Sequence, residues 1–405
     1  MTFKDLGLLP VLTDKCVAMG YTEPTPIQKQ AIPFLLQGRD ILACAETGTG
    51  KTAAFLLPIL NKLIEGPKRP GTKVLVLSPT RELANQTEEF CRKFAPKGIT
   101  CTAIIGGSGY KRQMDSLRNG ANIIIATPGR LIDFMDQGLI DFRGLTTLVL
   151  DEADRMLDMG FLPSIRRIEK VIPAKRQTLF FSATMSREIE TIAYKMLTDP
   201  EMIEVSPRGR AGQLITQTAY SVNPQSKMVL LLELLEKDDL QRVLVFTRTK
   251  RGADRLAHVL EKRQHSSNRI HGDRSQSQRD SALKAFKAGH TNILVATDVA
   301  ARGIDIDSVQ HVINYDIPEA PEDYVHRIGR TGRAGNKGRA ITIFTIAEEH
   351  NMRAIERLTG EKVERVVHPE FGGQPAFVPG PVARKNTGSA APKRSFKRFG
   401  SGRGR

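Results

Sequence analysis

The segment Ala45-Glu46-Thr47-Gly48-Thr49-Gly50-Lys51-Thr52 follows the apolar run Asp40–Cys44 and leads into a helical pattern, so strand, glycine loop and helix stand in series. That order restricts the fold to a sheet with a phosphate cradle at a strand end. Gly48 and Gly50 allow a loop whose backbone N–H groups point inward, Lys51 can reach the β- and γ-phosphates of a nucleotide, and the Thr52 hydroxyl suits Mg²⁺. A plain glycine turn before a helix cap accounts for the glycines but not for the Lys-Thr pair. Hydrolysis would need, in addition, a metal-binding carboxylate and a group that handles water.

Around this loop the chain alternates short β-rich runs with helical patterns. The strand candidates are Ile41–Cys44, Val74–Ser78, Cys101–Ile105, Ile123–Ala126, Thr147–Leu150 and Thr178–Phe181, the rhythm of a parallel sheet with crossover helices. Their near-continuous apolar character suits a sheet covered on both faces, with ligand sites at the strand C-termini. Around Ser206–Gly212 the pattern lapses into small, basic and turn-forming residues. It then restarts at Arg242–Phe246, Ile293–Ala296, His311–Asn314 and Ala340–Phe344, without a second glycine-lysine loop. The predicted division is 1–206, a linker at 207–214, 215–365, and a basic tail at 366–405 that is expected to be disordered.

The 405 residues carry a formal charge of +16, which favours a polyanionic partner, with nucleic acid ahead of membrane. In the tail, Phe396 and Phe399 lie among Lys393, Arg394, Lys397, Arg398, Arg403 and Arg405, a pattern able to stack on bases while the charges meet phosphates. The four cysteines lack CxxC spacing, so neither zinc nor a disulfide framework is expected. No leader and no apolar run of membrane-spanning length stands out, and a cytoplasmic location is the simplest expectation.

Several clusters add chemistry. Asp151-Glu152-Ala153-Asp154 follows the apolar Leu148–Leu150, which places Asp151 to hold Mg²⁺ and Glu152 to position and deprotonate water. Ser182-Ala183-Thr184 also follows a strand, and serves equally as a bridge from the carboxylates or as a helix cap. Tyr21 and Gln28, flanking Pro24 and Pro26, can stack on and pair with an adenine; a capped helix start with Pro in its first turn explains the same residues. Finally, His326-Arg327-Ile328-Gly329-Arg330-Thr331-Gly332-Arg333 offers cations able to reach across an interdomain cleft, or a solvated basic turn.

Taken as an ordered series, these segments resemble the DEAD-box RNA helicases over roughly residues 3 to 350, most of all the bacterial RhlE-like branch. Phe3 and Tyr21 to Gln28 match the adenine-reading motif, Ala45 to Thr52 the phosphate loop, and Pro79 to Ala84 the motif after the next strand. Gly106-Gly107, Thr127 to Arg130, Asp151 to Asp154, Ser182 to Thr184, Phe246 to Thr249, Gln276 to Arg279, Ala296 to Asp305 and His326 to Arg333 follow in order. Glu46 stands where relatives usually carry Gln, and Phe246 to Thr249 replaces a more frequent Cys-Asn version.

The resemblance implies two tandem RecA-like parallel-sheet domains of the α/β class. It makes Phe3, Tyr21, Gln28, Thr47, Gly48, Thr49, Gly50, Lys51, Thr52 and Asp305 nucleotide contacts, and Thr52 and Asp151 the Mg²⁺ side. Arg330 and Arg333 become cleft-crossing arginines, and His326 couples the carboxylates to the second domain. Pro79, Thr80, Arg81, Gly107, Thr127, Arg130, Thr247, Arg279, Thr297 and Asp298 fall on segments that grip the RNA backbone. With almost nothing before Phe3, no N-terminal recognition domain is expected. The implied activity is ATP-dependent unwinding of short RNA duplexes with ATP and Mg²⁺, with ribosome-assembly or RNA-turnover proteins as possible partners. Its rivals are an ATP-timed RNA clamp or annealing factor and a DNA helicase or translocase.

Overall fold

The computed structural model describes residues 1–45, 48–67, 71–205, 215–237, 240–301, 309–332 and 337–371. Its first sheet comprises β1 (Ile41–Ala45), β2 (Val74–Leu77), β3 (Cys101–Ile104), β4 (Ile123–Ala126), β5 (Thr147–Leu150), β6 (Gln177–Ser182) and β7 (Glu201–Val205). All pair in parallel, in the order β3-β4-β2-β5-β6-β1-β7. Parallel strands need covered crossovers, and helices bury both faces. Leu75 and Leu77 point into one apolar cluster and Val74 and Val76 into the other. The phosphate loop is carried by β1 between two neighbours, and the helix Lys51–Glu65 behind it is buried from Ala53 to Asn61.

A second sheet contains β8 (Ile215–Ser221), β9 (Val243–Thr247), β10 (Ser267–Ile270), β11 (Ile293–Thr297), β12 (His311–Asn314), β13 (Gly338–Phe344) and β14 (Glu364–Val366). Its order, β10-β11-β9-β12-β13-β8-β14, repeats the first when strands are counted within each lobe. The two lobes therefore share one topology. Where β1 leads into a glycine loop, β8 leads into Val222, Asn223 and the short turn Pro224–Ser226. No described helix is long and apolar enough to cross a membrane.

The expected α/β architecture with two parallel sheets is present, and every strand candidate named from sequence lies on a strand. Four further strands were not expected: β7, β8, β10 and β14. Three of these are sheet edges, and β10 reads Ser-Asn-Arg-Ile. An edge strand needs no continuous apolar run, because one side of it meets solvent. Beyond β14, His368 Nε2 lies 3.2 Å from Glu233 Oε1 and its ring stacks on Phe371. The linker at 207–214 and residues 372–405 of the tail lie outside the described residues.

Candidate functional site

Parallel strands bring the loops that follow β1 and β5 to one edge of the first sheet, and there they line a cavity of about 710 Å³. Phe3, Tyr21, Gln28, Gly48, Gly50, Lys51, Thr52, Asp151 and Glu152 all border it, as does Arg330 from the second lobe. Gly48 and Gly50 take left-handed backbones at φ 83° and 92°. At Gly50 any side chain would also collide, since a Cβ there would stand 2.5 Å from Gln28 Nε2. Lys51 is buried, and its ammonium donates to the Ala45 carbonyl at 2.8 Å.

Gln28 joins the loop to the helix Pro26–Leu36. Its Oε1 accepts from Thr25 N–H at 2.9 Å, and its Nε2 donates to the Gly50 carbonyl at 3.1 Å. One N–H and one lone pair of the amide remain for a ligand. The helix start Pro26–Leu36 is thus capped through Gln28, so the capping and the ligand-facing readings of this residue coexist. Tyr21, 40% exposed, stacks on Phe94, which stacks in turn on Phe90.

The carboxylates sit where β5 ends. Burial pushes the Asp151 carboxyl up to about 7, against the pull of Lys51. Burial acts the same way on Glu152, but Arg155, Lys51 and Arg330 together outweigh it and hold that carboxyl at about 2. The two neighbouring carboxyls are thus pushed in opposite directions. Asp154 faces away: its Oδ2 accepts from the Ala183 and Thr184 N–H groups at 3.0 and 2.9 Å and from Thr184 Oγ1 at 3.2 Å. The following helix, Arg187–Met196, is capped by Ser186. The Ser182–Thr184 triplet thus fastens to the carboxylate cluster.

From the second lobe, Arg330 is buried at 5% exposure. His326 is half-buried on the helix Pro321–Ile328 and does not border the cavity. Arg327 holds Asp298 with two bonds of 2.6 and 2.7 Å. Thr49, within the loop, is half-buried and does not border the cavity. Thr47, Asp305 and Arg333 lie outside the described residues.

A second cavity, about 420 Å³, is lined by Pro79, Thr80, Arg81, Gly107, Thr127 and Arg130 of the first lobe together with Gly272, Arg279 and Ala300 of the second. Arg81 lies over Gly107, where a Cβ would stand 2.1 Å from its Nη1. Burial, and then Arg279 and Arg130, push the Arg81 guanidinium below its ordinary range. Three arginines held this close suit a polyanion. The lobes are joined here: Arg279 pairs with Glu82 at 2.7 Å, and Gln276 donates to the same carboxylate at 3.2 Å. Thr247 is fully buried with its hydroxyl donating to Thr249 O, and neither it, Thr297 nor Asp298 borders this cavity.

Sequence reasoning missed Glu82, Arg155 and the face of the helix Arg81–Phe94 formed by Leu83, Gln86, Phe90 and Lys93, which borders the first cavity. A detectable signal existed only for that face, in its spacing of three and four residues.

Residues 25–192 match the DEAD/DEAH box helicase family, and residues 226–335 match the helicase conserved C-terminal domain. The chain is 47% identical over 350 residues to the ATP-dependent RNA helicase vasa of Drosophila melanogaster, covering 84% of this chain and 52% of that one. It thus spans about half the length of that relative. It is 45% identical over 369 residues to the DEAD-box ATP-dependent RNA helicase CshA of Geobacillus kaustophilus, covering 91% and 79%. Among solved structures, S. cerevisiae Dbp5 bound to RNA and ADP BeF3 superposes with a TM-score of 0.82 at 33% identity, covering 90% of this chain and 95% of that one. Mss116p bound to ssRNA and AMP-PNP gives 0.80 at 28% identity, covering 91% and 80%.

Proposed function

This chain belongs to the DEAD-box family of ATP-dependent RNA helicases, and from that premise we propose that it hydrolyses ATP between its lobes and uses lobe closure to separate short RNA duplexes. The observation that carries this reading is the cavity bordered by Lys51, Asp151 and Glu152 of one lobe and Arg330 of the other. A cavity built from both lobes is complete only when they meet, so closure and hydrolysis are linked.

Within it, Lys51 binds the β- and γ-phosphates, Glu152 orients the attacking water, and Arg330 with Arg333 offsets charge on the transferred phosphoryl group. His326 couples the carboxylates to the second lobe, and Asp305 contacts the nucleotide. Phe3, Tyr21 and Gln28 recognise adenine, with Thr47, Gly48, Thr49 and Gly50 enclosing the phosphates. Thr52 and Asp151 would hold Mg²⁺. Two hard oxygen donors without a further protein cage suit an ion whose other ligands are phosphates and waters. When bound, that ion supplies charge neutralisation of the phosphates.

The arginine-rich cavity is the RNA grip, formed by Pro79, Thr80, Arg81, Gly107, Thr127, Arg130 and Arg279, with Thr247, Thr297 and Asp298 as further RNA contacts of the second lobe. Backbone gripping gives little sequence preference. The domain division follows the expected 1–206, 207–214, 215–365 and 366–405, and the contacts of His368 and Phe371 favour carrying the second lobe on toward residue 371. Placement in the RhlE-like branch, a cytoplasmic location, and ribosome-assembly or RNA-turnover partners complete the proposal; the RhlE-like placement leans on the ordered motif series.

Two measurements test it. ATPase stimulation by RNA should exceed that by DNA of equal length, because 2′-hydroxyl contacts distinguish them; equal stimulation would favour a DNA translocase. Replacing Gln28 with Ala should erode the preference for ATP over GTP by about tenfold, and unchanged selectivity would remove the adenine-reading role.

A further inference from the structure

Arg155 follows the acidic cluster directly and is 4% exposed. Its side chain folds back over one helical turn, and Nη1 donates to Glu152 Oε2. That is the only hydrogen bond its guanidinium makes among the described residues, and Nε and Nη2 have no partner. The contrast with Arg327 is informative. At 2% exposure, Arg327 bonds Asp298 twice, Asn314 Oδ1 at 3.2 Å and the Asp316 carbonyl at 2.6 Å, and lies over the Phe246 ring. Its bonding capacity is used by the architecture. That of Arg155 is mostly unused, a costly arrangement for a buried cation.

The residue it does engage is itself unusual. Glu152 has a left-handed backbone, φ 51° and ψ 54°, a conformation that non-glycine residues keep only where the surroundings impose it. Two local costs, an under-satisfied cation and a strained backbone, thus converge on one contact beside the phosphate loop.

We infer that Arg155 is a positioning residue for hydrolysis, which fixes the direction of the Glu152 carboxylate so that it can hold the attacking water. The inference rests on the reading of Glu152 as the water-orienting group. Arg155 and Glu152 sit on one short segment, Ala153–Asp158 and its preceding residue, so both ends of the clamp belong to the first lobe.

The test is a set of four variants of the full chain, Arg155→Gln, Arg155→Lys, Glu152→Gln and the double Glu152→Gln/Arg155→Gln, assayed for RNA-stimulated ATPase. Arg155→Gln should lower kcat about 100-fold, the scale of a misplaced catalytic group, with KM for ATP and RNA affinity in the presence of AMP-PNP unchanged. Arg155→Lys should recover about half of that loss on a logarithmic scale, since an ammonium keeps the charge but not the fork. In the Glu152→Gln background, Arg155→Gln should add nothing, whereas a merely structural arginine would add its full factor. Wild-type kcat in Arg155→Gln overturns the inference; so does wild-type kcat in Arg155→Lys should the glutamine variant fail to fold, and so does additivity in the double variant. An active Glu152→Gln protein would instead overturn the underlying reading of Glu152, which keeps the two failures apart.

Discussion

Exchanging Lys51 for Ala should abolish ATP hydrolysis, with a fall in kcat on the order of 10³-fold and a parallel loss of nucleotide affinity. Lys51 is buried at the head of its helix, with its ammonium 2.8 Å from the Ala45 carbonyl at the start of the loop. The same charge draws the Asp151 and Glu152 carboxyls downward. Removing it leaves two buried carboxyls with less positive charge beside them, so hydrolysis loses both its phosphate contact and its electrostatic balance. Binding of a fluorescent ATP analogue measured beside turnover would check this, with circular dichroism to establish folding. Turnover within tenfold of the parent chain would show that the loop grips phosphate by backbone groups alone.

Replacing Glu152 with Gln should separate binding from turnover. The amide is nearly isosteric, and its oxygen can still accept from Arg155, so the left-handed turn and the cavity walls should persist. What disappears is the negative charge facing the water. General-base and water-orienting groups contribute about 10²- to 10⁴-fold, and kcat should fall within that range while ATP-dependent RNA binding survives or lengthens. A protein with near-normal turnover would refute the assignment. The pair of variants is diagnostic together, since loss of Lys51 should weaken nucleotide-dependent RNA retention and loss of Glu152 should preserve it.

How much of this was legible in the sequence depended on distance along the chain. The phosphate loop and the acidic cluster are contiguous, and each follows an apolar strand, so their chemistry and their placement at a sheet edge could be read together. The central strands were readable because burial on both faces demands unbroken apolar runs, as in Val74–Leu77. The edge strands β10 and β14 were not, because they meet solvent and carry polar residues, whereas the apolar edge strand β3 was. The cross-lobe bond from Gln276 to Glu82 joins positions 194 residues apart, and neither residue has a local pattern that names the other. Arg155 sat next to a recognised motif yet gave no signal, since its meaning lies in which bonds it leaves unmade.

The helix Arg81–Phe94 begins in the arginine-rich cavity, with Thr80 capping it, and presents Leu83, Gln86, Phe90 and Lys93 to the nucleotide cavity. Fourteen residues make a rod about 21 Å long, and a hydrogen-bonded helix bends or shortens far less readily than a loop. A push at one end of such a lever becomes a swing at the other. Two ligands seated on one lever need never touch to influence each other, and the influence must be equal in both directions: whatever factor RNA adds to the grip on ATP, ATP adds to the grip on RNA.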